Sequence, residues 1–202
     1  MKKSVLFSIA LVVVSVFSAA SVKAQSRGMS QSSDAFGVGT NVISAGIGLG
    51  STIADYTYGT QSPGFNVTYD RGIWEAGPGV ISLGAYVGIK DYKYGYVENG
   101  YAYSEKWNYT VVGVRGAWHF TGLDIDNLDL YGGLMLADYA LNYSYSDNQG
   151  NSGSGSALGN YGSTIGLSVF AGAKYYFAGN FGAFGELGFG ANVLSLGVSY
   201  KF

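Results

Sequence analysis

Four charged residues, Asp70, Arg115, Lys174 and Glu186, occupy the polar positions of segments that otherwise alternate apolar and small residues. Arginine and lysine can only donate hydrogen bonds, and ionised carboxylates can only accept them. Brought into one layer inside a narrow enclosure, these four are expected to pair with each other and with tyrosine hydroxyls, because an unpaired buried charge is costly. Such a layer acts either as a salt-bridged plug that braces the wall or as a gate whose pairs rearrange to pass ions or small solutes. Lys201 is a further candidate member. Catalytic chemistry has fewer resources. His119 is the single histidine, and there is no cysteine, so an ordinary zinc site with three or four such ligands is not available. The G-x-S-x-G elbow is absent. Neither G-x-G-x-x-G nor a P-loop is completed, despite 33 glycines. No catalytic, cofactor-binding or metal-binding residue is therefore expected, and His119 reads as a hydrogen-bonded residue near a strand end.

The elements that position the charges are strands, since residues two apart share a face. Eight alternating segments run through Thr40–Gly50, Phe65–Trp74, Val80–Tyr92, Trp107–Phe120, Asp129–Tyr145, Tyr161–Phe177, Phe181–Gly190 and Leu194–Phe202. In the third, Ile81, Leu83, Ala85, Val87 and Ile89 oppose Ser82, Gly84, Tyr86, Gly88 and Lys90. The fifth is largely apolar on both faces, which leaves the facing of Tyr131, Met135 and Asp138 open. Short connections (Glu75–Gly79, Thr121–Leu128, Ala178–Asn180) alternate with long ones (Ser51–Ser62, Asp91–Lys106, Ser146–Asn160), and the last, near Ala191–Asn192, is almost nothing. Trp74, Trp118, Phe120, Tyr175, Phe177, Phe181 and Phe202 all fall at the side of the short turns, as an aromatic girdle requires. Sequons at Asn66, Asn108 and Asn142 lie inside these segments and read as accidental.

Composition gives the compartment. The opening MKKSVLFSIALVVVSVFSAASVKAQ has a basic start, an apolar run from Val5 to Ala20, and Val22 and Ala24 where a signal-peptidase site takes its two recognition residues. That is a cleavable export signal over residues 1–24, followed by a polar lead-in over 25–39 and the strand-forming domain over 40–202. Removing Lys2, Lys3 and Lys23 leaves eight of the 11 basic residues against 13 acidic ones, a net charge near −5. An acidic surface excludes nucleic acid as a partner. After the signal no apolar run approaches 18 residues, so a spanning helix is excluded. An exported chain with 16% aromatic and only 12% charged residues has a closed β-barrel as its remaining membrane solution. Eight antiparallel, up-and-down strands return both ends to the side of the short turns.

The segment DYKYGYVENGYAYSEKWNY, Asp91–Tyr109, gathers tyrosines about an expected hairpin turn at Glu98–Asn99–Gly100. Tyr92, Tyr94, Tyr96, Tyr101 and Tyr103 are the expected outer-loop interaction residues, either touching lipopolysaccharide sugars or offering a surface to a protein or glycan ligand. The loop Ser146–Asn160 reads as flexible and without visible chemistry.

The stretches LGVSYKF (Leu196–Phe202), VVGVRGAWHF (Val111–Phe120) and LDLYGGLML (Leu128–Leu136) resemble small Gram-negative outer-membrane proteins with an eight-stranded barrel, related in shape to OmpX, OmpW and OmpA. The resemblance covers about residues 36–202. It implies that Tyr200 and Phe202 form an assembly signal read by the barrel-assembly machinery. The expected role is non-enzymatic, in membrane structure or surface interaction, with a filled lumen and no cofactor. A narrow OmpW-like channel for ions or small hydrophobic solutes is the second reading, and an outer-membrane enzyme the third.

Overall fold

The structure is a computed structural model that describes residues 35–50, 60–98, 100–123, 125–149, 151–156, 164–189 and 191–202. The expected signal and the first part of the lead-in lie outside the described residues. The described elements are β1 (Asn41–Leu49), β2 (Thr60–Gln61), β3 (Gly64–Glu75), β4 (Gly79–Glu98), β5 (Tyr101–Phe120), β6 (Leu128–Asp147), β7 (Ser152–Ser156), β8 (Thr164–Ala178), β9 (Phe181–Gly188) and β10 (Leu194–Lys201). Eight of them form an antiparallel ring in the order β1, β3, β4, β5, β6, β8, β9, β10, and β10 pairs back to β1. The two short strands are additions to it: β2 borders β4, and β7 borders β6. The fold is thus an all-β, closed, eight-stranded barrel, and each expected segment falls on one ring strand.

The seam joins the first and last strands of the ring, β1 and β10. Asn41 N–H donates to Phe202 O at 3.0 Å, and Phe202 N–H donates to Asn41 O at 2.9 Å. The start of β1 and the end of β10, with the short turns after β3, β5 and β8, mark what we call the near mouth; the other opening is the far mouth.

Alternation decides which residues face where. On every ring strand one parity is exposed and apolar, as with Ile43, Val67, Leu83, Val114, Leu134, Leu167, Leu187 and Val198. The opposite parity is buried inside the ring, as with Ser44, Asp70, Tyr86, Arg115, Met135, Phe170, Phe184 and Ser199. A continuous apolar belt of this extent is far larger than a water-exposed patch tolerates. It matches the outward band of a barrel in hydrocarbon. Among the described residues no helix is long and apolar enough to cross a membrane.

Three expectations change in detail. The fifth segment acquires a register: Tyr131 and Met135 face the lumen and are buried, whereas Asp138 has the outward parity and is half-buried. The Asp91–Lys106 connection is mostly strand, because β4 and β5 stay paired up to Glu98↔Tyr101 around Gly100, whose φ is 83°. The Ser146–Asn160 loop likewise begins as a paired hairpin, with Ser146 opposite Ser152. Its Asp147 carboxylate accepts from the backbone N–H of Gln149 and Asn151 and from the Asn151 side chain. As expected, the last connection stays low: Ala191 and Asn192 are buried, and a Cβ on Gly48 would lie 1.8 Å from Asn192 Cγ.

Candidate functional site

The lumen carries the densest chemistry. Asp70 from β3, Arg115 from β5, Lys174 from β8 and Glu186 from β9 meet across it in one bonded group. Arg115 grips Glu186 with both terminal nitrogens, Nη2 to Oε2 at 2.7 Å and Nη1 to Oε1 at 3.2 Å. Its Nε lies 3.1 Å from Asp70 Oδ1, an ion contact without hydrogen-bond alignment. Lys174 Nζ reaches the other oxygen, Asp70 Oδ2, at 3.4 Å. Tyr131 donates its hydroxyl to Glu186 Oε2 at 3.0 Å. Aromatic faces complete the cage: Arg115 lies 3.8 Å from the Phe170 ring centre, and Lys174 3.9 Å from that of Tyr131. The side chains of Asp70, Arg115 and Lys174 are each only 1% exposed. Two-point arginine–carboxylate pairing fixes orientation as well as charge.

A second group, largely invisible in the sequence, lies toward the near mouth. His119 Nδ1 is 2.8 Å from Asp129 Oδ1, and its Nε2 is 3.0 Å from Ser82 Oγ. Asp129 Oδ2 in turn lies 3.9 Å from Lys174, so this group joins the charge layer. Phe36 stacks on the imidazole with ring centres 3.6 Å apart and planes 7° from parallel, and it packs with Val42 and Val80. Of the described lead-in residues, Ala35 and Phe36 are buried in the mouth, while Val38 and Gly39 are exposed. Gly72 makes room, since a Cβ there would lie 2.2 Å from Gly37 O. Gly39 N–H donates to Gly72 O at 2.9 Å, and Gly72 N–H to Thr40 O at 3.0 Å. Lys201 belongs here and not in the charge layer: its Nζ donates to Ala35 O at 3.3 Å and sits 4.5 Å from the Tyr176 ring centre.

Ser82, His119 and Asp129 have the order and spacing of an acyl-transfer relay. Chemically the resemblance stops at the hydrogen bonds. Ser82 and His119 are each 0% exposed, and Phe36 covers the imidazole. Ser82 also lies mid-sheet, in ladder register opposite Gly72 on β3 and Ala117 on β5, a poor place for the free N–H donors an oxyanion needs. What the arrangement can do is tie β4, β5, β6 and the lead-in together. His119 is hydrogen-bonded one residue before the end of β5, as expected of it; what the structure adds is its complete burial, because position 119 has lumen parity and Phe36 of the lead-in covers the ring. Among the described residues, no group of three or more His, Asp or Glu side chains is placed to hold a metal.

Above the layer, toward the far mouth, Tyr92 and Tyr109 pack edge to face at 5.4 Å with Leu141 and Trp107. Tyr92 is 1% exposed, which corrects its assignment to the outer interaction set: even positions of β4 face the lumen, and position 92 is still inside the ring. The other tyrosines follow the same parity further up, where the ring gives way to a ribbon. Tyr94, Tyr96, Tyr103 and Tyr145 form a chain of ring contacts at 5.6, 4.9 and 6.1 Å along one face of the ribbon. Tyr101 is exposed near the tip. At the seam, Tyr200 and Phe202 face outward, 6.0 Å apart and stacked, with Phe181 beside Tyr200 at 4.7 Å. Of the three sequon asparagines, Asn66 is buried in the lumen and donates to Ser195 Oγ at 2.8 Å.

No family model and no curated protein matches the chain. Solved structures with a similar barrel include Ail, the attachment invasion locus protein of Yersinia pestis, in complex with the heparin analogue sucrose octasulfate. That match has 18% identity, 82% coverage of this chain, 99% of Ail and a TM-score of 0.48. The N-terminal β-barrel domain of Pseudomonas aeruginosa OprF matches at 15% identity, covering 81% of this chain and 96% of that one, with a TM-score of 0.43.

Proposed function

We propose that this protein is a non-enzymatic, integral outer-membrane barrel whose lumen is a braced plug and whose tall β4–β5–β6 ribbon is presented at the cell surface. The observation that carries this reading is the network joining Asp70, Arg115, Lys174 and Glu186 across the whole lumen, with its charges at most about a tenth exposed. A pathway for ions needs water beside its charges, and these are packed against Phe170 and Tyr131 instead. The near mouth becomes the periplasmic one, reached after removal of residues 1–24, and the outward apolar belt meets lipid. Tyr200 and Phe202, at the end of the closing strand, serve as the assembly signal as well as girdle residues. The half-buried tyrosine face of the ribbon supplies rigid contact area for lipopolysaccharide, or for a protein or glycan ligand.

Planar-bilayer conductance of the refolded protein tests this. A silent wild type, with conductance appearing in an Arg115→Ala, Glu186→Ala double variant, is the expected result. Steady conductance from the wild type would put the narrow-channel reading in its place.

A further inference from the structure

On the outward face of the ribbon two lysines stand side by side, and the neighbouring carboxylate of Asp91 reaches only one of them. Lys93 on β4 is the direct ladder partner of Lys106 on β5. Like charges facing each other across a ladder destabilise it. Lys106 Nζ reaches Asp91 Oδ2 at 3.4 Å, and Asp91 is further engaged by Asn108 Nδ2 at 2.5 Å. Lys93 has no carboxylate within ion-pair distance among the described residues. Hydroxyls surround the pair: Thr60 lies opposite Lys93 and Ser144 opposite Lys106. Lys93, Lys106, Ser104, Ser144, Ser146 and Ser152 border an open cleft of about 530 Å³, within the size range of small-molecule sites.

The height of the cleft matters as much as its chemistry. The outward apolar series of β4 ends at Ile89, four residues before Lys93. At ~3.3 Å per residue and a strand tilt of ~40°, Lys93 stands roughly 10 Å above the edge of the belt. That is headgroup depth. Flexible lysine stems let the ammonium groups settle toward anions at this level.

We propose that this shelf binds a phosphate- or sulfate-bearing saccharide, with Lys93 and Lys106 on the anionic group and the serine hydroxyls on the sugar. The inference rests on the surface presentation of the ribbon argued above. An anion between the two ammonium groups removes their repulsion, which explains why two lysines can face each other when the one nearby carboxylate, Asp91, reaches only Lys106.

The test uses the refolded protein in phosphatidylcholine nanodiscs. Two soluble probes are titrated, a glucosamine disaccharide bisphosphate and the same disaccharide without phosphate. A third preparation carries the acylated bisphosphate form within the disc. We expect the phosphorylated probe to bind at least about tenfold more tightly than the bare sugar, with affinity falling as salt rises. Lys93→Gln with Lys106→Gln should weaken it about tenfold, since two charge-assisted contacts are lost. Heat-modifiable gel mobility confirms that the variant is folded. Binding of the acylated form alone identifies a membrane glycolipid as the source, and equal binding of the soluble form identifies free glycans; both support the shelf. Equal binding of the two soluble probes with no acylated binding, or wild-type affinity in the double variant, overturns it. Conductance separates the two proposals: a silent barrel that binds neither phosphorylated form loses only the shelf, and a conducting barrel that binds loses only the plug.

Discussion

Arg115→Ala should be among the most damaging single changes in the chain. The substitution strands Glu186, which loses both of its arginine contacts and keeps Tyr131, and it leaves Asp70 with Lys174 alone. Removing one partner of a buried ion pair costs about 3–5 kcal/mol, because the surviving charge stays desolvated. With a urea slope of about 3 kcal/mol per molar, the unfolding midpoint should fall by about 1–2 M. The assay is urea unfolding in lipid vesicles followed by tryptophan fluorescence. Arg115→Met with Glu186→Leu removes both charges while keeping apolar volume. It should recover about 2 kcal/mol relative to the sum of the two single changes, the coupling expected of residues in one buried network. A midpoint shift below about 0.3 M for Arg115→Ala, or a coupling near zero, would refute the reasoning: the layer would then be hydrated, and the plug would not exist.

Phe36→Ala should lower stability by about 3–5 kcal/mol in the same unfolding assay, since it empties the space over His119. Fluorophosphonate probes should leave Ser82 unlabelled in the wild type; labelling abolished by His119→Ala would revive the enzyme reading. Gly84→Ala should slow or block refolding, read as loss of the heat-modified gel band, because its Cβ would lie 1.9 Å from Tyr69 O. In the β6–β7 turn the Asn151 side chain, helped by the backbone N–H groups of Asn151 and Gln149, holds the Asp147 carboxyl below its usual 3.8. The order this adds is complete above that usual value and lost as pH falls through the depressed one. The protection of the Gln149 and Asn151 amides, their exchange relative to the intrinsic rate at each pH, should fall only there; a loss of protection already near neutral pH would count against the cap.

The barrel and the charge layer were legible in the sequence because both follow from a period of two. Once Asp70, Arg115, Lys174 and Glu186 have lumen parity in a narrow ring, their pairing needs no further information. The group around His119 was not legible for a related reason. Asp129 is the second residue of β6, whose two faces are both apolar enough to accept either register, so its side could not be assigned. Phe36 is a lone aromatic in a polar stretch and has no periodicity at all; only the close approach at Gly72 shows why it turns inward. Tyr92 was misplaced because the tyrosines that follow it are evenly spaced through the rim, and nothing in that spacing marks where the ring ends.

The seam between Asn41 and Phe202 also constrains how the barrel can form. Its two hydrogen bonds join residues 161 positions apart, and the adjoining register runs from Val42↔Lys201 to Leu49↔Leu194. Every other ring pairing links strands that are neighbours in the ring sequence, so a sheet can grow by successive hairpins. Closure alone must wait until the last residues are available. Until then the sheet has two bare edges, β1 and β10, each a template for pairing with another chain. Joining contacts so distant in sequence is slow. The final strand is thus a kinetic bottleneck, and the partly assembled sheet must be sheltered from its neighbours for as long as that step takes.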